Sequence, residues 1–279
     1  MRKINSNSIV DKVKELCIKA NYQLPSDIKN ALDRSCKDET SSLAQYVLES
    51  LKKNAEIAEQ EDIPLCQDTG ICVFFIDIGQ ELVIEGDIYL AINEGVRQGY
   101  KEGYLRKSVV NNPLWRENTQ DNTPSIVHVT LTPGDKLKVQ LMIKGAGSEN
   151  MSAVKMLPLC EGTEGVKKFA IETVKTAGAN ACPPLIVGIG IGGDIETCAL
   201  LAKKSLLRPL GKNNADPKIA AIENELFLEI NELGIGPAGF GGKTTVLAVH
   251  AEVYPCHIAS LPVAVNINCH AHRHAEVVI

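Results

Sequence analysis

Three cysteines, Cys66, Cys182 and Cys269, stand in three widely separated segments: PLCQDTG, ACPPLIVGIGIGG and NINCHAHRHA. A fold that gathers them must close over long stretches of chain. Three thiolates gathered in this way can hold an iron–sulfur cluster and leave one iron without a protein ligand. An open iron is a Lewis acid, able to draw a hydroxyl from a hydroxy acid. Spacing alone does not select these three among the nine cysteines. Any single cysteine is more often a small buried hydrophobe. Cys17 and Cys198 fall inside helical patterns, where that reading holds, whereas Cys36, Cys72, Cys160 and Cys256 are undecided.

The chain's 279 residues can bury a large core in one large domain or two lobes. A net charge of −5, scattered Lys and Arg, and 4% aromatics argue against a nucleic-acid surface or a base-stacking platform. The N-terminal MRKINSNSIVDKVKELC is polar and then amphipathic, so no export signal is expected. The stretch from Pro183 to Gly193 is too short and Gly-rich to span a bilayer. The expected location is therefore cytoplasmic. There, an odd number of cysteines favours thiols, metal ligation or catalysis over disulfides.

The first 60 residues or so read as helices: Ile9 to Lys19, Asp27 to Lys37 capped by Ser26, and a third from Ser41 or Ser42 to Gln60 with Leu43, Val47, Leu51 and Ile57 facing inward. Cys72 to Ile78 reads as a strand and Asp87 to Gly103 as a helix, followed by an irregular polar stretch from Leu105 to Pro124. Ile126 to Leu131 and Leu137 to Ile143 flank Pro133-Gly134-Asp135, which predicts a hairpin. Helices are expected over Thr163 to Thr176, Asp194 to Leu207 and Pro217 to Leu233. Strands are expected over Leu185 to Ile191, Thr245 to His250 and Val263 to Asn268. The expected fold class is α+β, an irregular mixed α/β arrangement over residues 1–279 with a helical N-terminal segment of about 60 residues.

Two Gly-rich motifs invite a nucleotide reading and do not sustain it. Gly188-x-Gly190-x-x-Gly193 lies between a strand and a helix, but no acidic residue ends a second strand about 20 residues on. The simpler reading is close backbone packing. Gly241-Gly242-Lys243-Thr244 resembles the end of a phosphate loop, yet Pro237 stands where that pattern needs Gly. A tight turn with a surface lysine is expected there. The tail histidines His270, His272 and His274 lack the spacing usual for zinc. Alternation on a strand would place them on one face, opposite Cys269, at a solvated or substrate-facing end.

Asp68 is a candidate acid/base or orienting carboxylate, with His257 as its possible partner. Each alone is as often a capping or surface residue. Arg106, Arg116, Lys144 and the amides of Gly145 to Gly147 are the best supplies of positive charge and donors for a dicarboxylate.

PLCQDTG, KGAGSENMSAVKML, ACPPLIVGIGIGG, LGIGPAGFGGKTT and NINCHAHR resemble the alpha subunit of class I iron–sulfur fumarate hydratases, a family that includes the L-tartrate dehydratase alpha subunit. The resemblance runs from about residue 10 to the C-terminus. It implies a [4Fe–4S] cluster on Cys66, Cys182 and Cys269, and substrate contacts from Gln67, Asp68, Arg106 and Gly147. It places His257 near Asp68, assisting proton movement to or from the iron-bound hydroxyl. It further implies an oxygen-sensitive hydro-lyase that hydrates fumarate reversibly. A beta subunit would complete the enzyme in an assembly of two alpha and two beta chains and supply the base that removes the carbon-bound proton. The chain departs from the pattern at Gln120 and Ala146, where relatives often have Gly. SENMSAVKML and GGKTT lean toward fumarase. The alternatives are tartrate dehydration, a non-catalytic iron–sulfur or redox-sensing subunit, and a nicotinamide enzyme using the GxGxxG turn.

Overall fold

The computed structural model describes residues 1–279, which divide into two compact units. The first comprises Met1–Pro25, Asn54–Ala146 and Arg273–Ile279, and the second Ser26–Lys53 and Gly147–His272. The chain is a mixed α/β protein with helices near its N-terminus, as the sequence predicts.

In the first unit, β1 (Arg2–Asn5) pairs in parallel with β3 (Leu82–Glu85), and α1 (Ser6–Tyr22) follows β1. The main sheet has the order β10-β5-β2-β4, built from β2 (Ile71–Gly79), β4 (Ile126–Thr132), β5 (Leu137–Lys144) and β10 (Arg273–Val278). α4 (Ile88–Glu102) starts at Asp87, whose side chain accepts the N–H groups of Tyr89 and Leu90. Period-2 alternation sends Cys72, Phe74 and Ile76 of β2 and Leu137, Val139, Leu141 and Ile143 of β5 into one core. That core also holds Val13 and Leu16 of α1 and Ile92 and Val96 of α4.

The hairpin expected around Pro133-Gly134-Asp135 does not form. β4 and β5 are both strands, but β2 lies between them, parallel to β4 and antiparallel to β5. The end of β2 fills the turn: Gln80 N–H donates to the Thr132 carbonyl and Glu81 N–H to the Gly134 carbonyl. The chain does reverse at the predicted residues, but a turn fixes only a reversal of direction, not which strands are neighbours.

The second unit contains α2 (Ser26–Asp38), most of α3 (Ser42–Gln60), the greater part of α5 (Ala146–Glu149), α6 (Gly162–Ala177), α7 (Ile195–Ser205) and α8 (Pro217–Asn231). Its sheet runs β6-β9-β7-β8, from β6 (Ala153–Met156), β7 (Leu185–Gly192), β8 (Val246–Tyr254) and β9 (Pro262–Asn268). Val187 and Ile189 of β7 and Val265 and Ile267 of β9 pack with Val174 of α6 and Leu226 of α8. On the other face, Cys198 and Ala202 of α7 meet Ala264.

The inward stripe of α3 is Ala44, Leu48, Ala55 and Ala58, not the predicted Leu43, Val47, Leu51 and Ile57. Leu43 and Ile57 are exposed, and Val47 and Leu51 are half-buried. Alanines let neighbouring backbone approach closely, an advantage invisible to a pattern weighted by side-chain size.

Candidate functional site

In the first unit, the loop between α3 and β2 carries Cys66, Gln67 and Asp68. Asn54 Nδ2 donates to the Leu65 carbonyl at 2.9 Å. Cys66 is half-buried and Gln67 exposed. Asp68 folds the loop around its carboxylate: Oδ1 accepts the Gly70 N–H at 2.9 Å, and Oδ2 accepts the Ala146 N–H, also at 2.9 Å. The second of these bonds ties the loop to the segment after β5 within this unit. Thr69 Oγ1 donates to the Arg106 carbonyl at 2.5 Å, so the backbone of Arg106 is held beside the loop. The Arg106 side chain is exposed and makes no hydrogen bond or ion pair within the chain, which leaves its guanidinium available to an anion. Lys144 is buried and Arg116 exposed.

In the second unit, Cys182 and Cys269 lie in segments that hydrogen bonds tie together. The Cys182 carbonyl accepts the His270 N–H at 3.4 Å and lies 3.1 Å from His270 Nδ1. Cys182 is exposed, in a left-handed backbone conformation (φ 54°). Cys269, half-buried, donates its N–H to Asn268 Oδ1. Gly147 is exposed, and a Cβ there would lie 3.7 Å from the carbonyl of Asn180, two residues before Cys182. Gly147, Cys182 and Cys269 are thus local neighbours through their segments. His257 sits on an exposed loop after β8, where its Nδ1 accepts the Ala259 N–H at 3.1 Å. Asp68 and His257 belong to different units.

None of the nine cysteines forms a disulfide. Cys17, Cys36, Cys72 and Cys198 are buried, so the small-hydrophobe reading fits them. Burial pushes the Cys17 and Cys198 thiols up, away from thiolate. Cys66, Cys160, Cys182, Cys256 and Cys269 are at least partly accessible. No group of three or more His, Cys, Asp and Glu side chains is assembled as a metal centre.

The tail histidines do not share one strand face. β9 ends at Asn268 and β10 begins at Arg273. His272 is fully buried, its Nε2–H donating to the Leu206 carbonyl at 2.8 Å while its Nδ1 meets the Asn268 amide. Period-2 alternation fails because the chain turns between the two strands.

The nucleotide-like motifs are structural. A Cβ at Gly188 would sit 2.1 Å from the Ala202 carbonyl, and one at Gly190 2.0 Å from the Cys198 carbonyl. These glycines let α7 lie against β7. The GGKTT turn is anchored from below by Glu39, which accepts the Lys243 N–H, while Lys243 Nζ donates to the Asp38 carbonyl. Sequence reasoning missed Arg273 and Asn21, both buried beside the Asp68 loop. The only signal was a charged and an amide residue next to apolar runs.

The family described as fumarate hydratase (fumerase) matches residues 10–278. The chain belongs to the fumarate hydratase family. With membership of this lyase family comes an enzymatic activity of the hydro-lyase type. The chain is 43% identical over 274 residues to the putative L(+)-tartrate dehydratase subunit alpha of Methanocaldococcus jannaschii, covering 96% of each chain. It is 32% identical over 288 residues to the L(+)-tartrate dehydratase subunit alpha of Escherichia coli strain K12, covering all of this chain and 94% of that one. No helix of this family member is long and apolar enough to cross a membrane.

Proposed function

We propose that this chain is the alpha subunit of an iron–sulfur hydro-lyase acting on a hydroxy diacid, with L(+)-tartrate as the favoured substrate. The observation that carries this reading is the end-to-end similarity to alpha subunits named for tartrate dehydration, including the one at 43% identity. Sequence motifs leaned toward fumarate and malate, and the relatives move the preference to tartrate. Hydration of fumarate is the second reading, favoured by the description of the family.

Cys66, Cys182 and Cys269 fit an iron–sulfur cluster in donor chemistry: each is a thiol outside any disulfide, at least partly accessible and on a loop. Bound there, a [4Fe–4S] cluster would supply Lewis acidity toward the substrate hydroxyl. The chain's own residues would bind and orient the diacid. Arg106 offers an unpaired guanidinium to one carboxylate, and Gln67 and the Gly147 amide offer neutral donors. Asp68, held by two backbone amides, keeps Gln67 and Cys66 in register. His257, whose Nδ1 accepts a backbone N–H, presents its Nε2–H as a hydrogen-bond donor that would orient a departing hydroxyl. A base from a beta subunit would remove the proton on the neighbouring carbon. Loss of water from tartrate leaves an enol that tautomerises to oxaloacetate.

The test is anaerobic purification with the beta subunit, followed by iron and sulfide analysis. About four of each per alpha chain are expected, with loss in Cys66→Ser, Cys182→Ser and Cys269→Ser and retention in Cys256→Ser. Full iron content and turnover in Cys269→Ser would overturn the ligand assignment.

A further inference from the structure

Arg273 is the largest fully buried side chain of the protein, 1% exposed at the start of β10. Its Nη1 donates to the Asp68 carbonyl at 2.6 Å and to Asn21 Oδ1 at 3.2 Å. Asn21, wholly buried near the end of α1, is a junction. Its Nδ2 donates to the Cys17 carbonyl at 2.9 Å, which fixes the side chain on the helix. Its own carbonyl accepts the Leu65 N–H at 2.8 Å. Leu65 and Asp68 are therefore both pinned, one to Asn21 and the other to Arg273, and only Cys66 and Gln67 lie between them.

Gly145 leaves room for this arrangement. A Cβ there would lie 3.1 Å from Asp68 Oδ2 and 3.5 Å from Arg273 Nη2. The arrangement is a poor stabilising device. A buried guanidinium is costly unless a carboxylate and a full set of acceptors compensate it. Here both Nη1 acceptors are neutral oxygens, and Nε has no partner. What the guanidinium provides is geometry: the two N–H bonds of Nη1 lie in one fixed plane and hold the Asp68 and Asn21 oxygens in set directions, which a rotating lysine ammonium does not do.

We infer that Arg273 and Asn21 form a clamp that sets the position of the Cys66–Gln67–Asp68 loop. Both are positioning residues, acting through the loop and touching neither substrate nor cofactor. The catalytic consequence rests on the hydro-lyase reading above, whereas the placement of the loop does not.

The experiment compares Arg273→Lys and Asn21→Ala with the wild-type full chain by amide hydrogen exchange. It also measures kcat and KM for L-tartrate in the complex with the beta subunit. The Leu65, Gly70 and Ala146 N–H groups report on the loop, because their hydrogen bonds join it to Asn21, close it on Asp68 and tie Asp68 to the segment after β5. Arg273→Lys should speed their exchange at least tenfold while β7 and β9 change by less than about twofold. It should also lower kcat about 100-fold, the effect of a displacement of about 1 Å in a reacting constellation, with a smaller change in KM. Unchanged loop exchange, or equal acceleration throughout the chain, would overturn the clamp. If Arg273→Lys does not fold, Asn21→Ala decides alone by the same exchange criterion. If the wild-type complex turns over no hydroxy diacid, the functional reading fails, and the exchange result still decides the clamp.

Discussion

The carboxylate of Glu39, almost wholly buried, accepts the backbone N–H of Lys243 at 2.8 Å. Its other oxygen takes the N–H groups of Thr40 and Ser41 at 2.8 and 3.0 Å. Burial alone would raise its pKa. The amides of Ser41, Lys243, Thr40 and Thr244 outweigh burial and hold the group below the usual carboxylate range. Its contribution is therefore present above the ordinary carboxylate pKa and is lost as pH falls through the lowered value. Glu39→Gln replaces one acceptor oxygen with a donor that faces an N–H. We expect a loss of about 2 kcal/mol, measured by urea unfolding at neutral pH, with the GGKTT turn opening to proteolysis first.

Gln120 occupies a left-handed conformation, φ 66°, with its N–H donating to Asn118 Oδ1 at 2.7 Å. That explains why glycine suits this position, since an L side chain there costs about 1 kcal/mol. Gln120→Gly should raise Tm by about 2 °C and Gln120→Val should lower it, both read by calorimetry. Ala146, the other departure from the family pattern, begins α5 and needs no such conformation.

Gly190→Ala would drive a methyl group into the Cys198 carbonyl. Overpacking against backbone of this kind costs about 3 kcal/mol or more. The variant should unfold at markedly lower denaturant. The wild-type chain should show no saturable NAD binding by calorimetric titration, because the motif's glycines are occupied by α7.

His250, buried on β8, has its pKa pushed down to about 4, first by burial and then by the Arg208 guanidinium, against the opposing pull of Glu223 and Asp27. Its Nδ1–H faces the Ser205 carbonyl. The unfolded chain binds this proton from about pH 6.5 downward, and the folded chain only near pH 4. Stability should therefore fall as pH falls through that window, by about 3 kcal/mol in all. His250→Gln should be flatter over the same range in parallel urea titrations.

The helices were legible through periodicity, and the structure adds the caps Asp87, Asp194 and Asp216, each accepting a first-turn N–H. Six strands were legible too, but β1, β3, β6 and β10 were not, and neither was the strand order. β2 between β4 and β5 depends on backbone pairing across distant segments, and no local signal encodes it. The site followed the same division. Cys66, Gln67 and Asp68 were visible as one loop, and Cys182 and Cys269 as motif cysteines. The tie through His270, the two amides on Asp68, and the buried Asn21 and Arg273 came only from tertiary structure. A buried arginine reads in sequence like any surface charge.

Turnover with each diacid decides both substrate and reaction. The alpha and beta chains, reconstituted together without oxygen, should be given L(+)-tartrate and malate in parallel, with oxaloacetate and fumarate followed as products. Oxaloacetate should form from tartrate at a kcat/KM at least tenfold above that for malate. Preference for malate would return the enzyme to the fumarase reading, and absence of turnover with both diacids would contradict the proposed function itself.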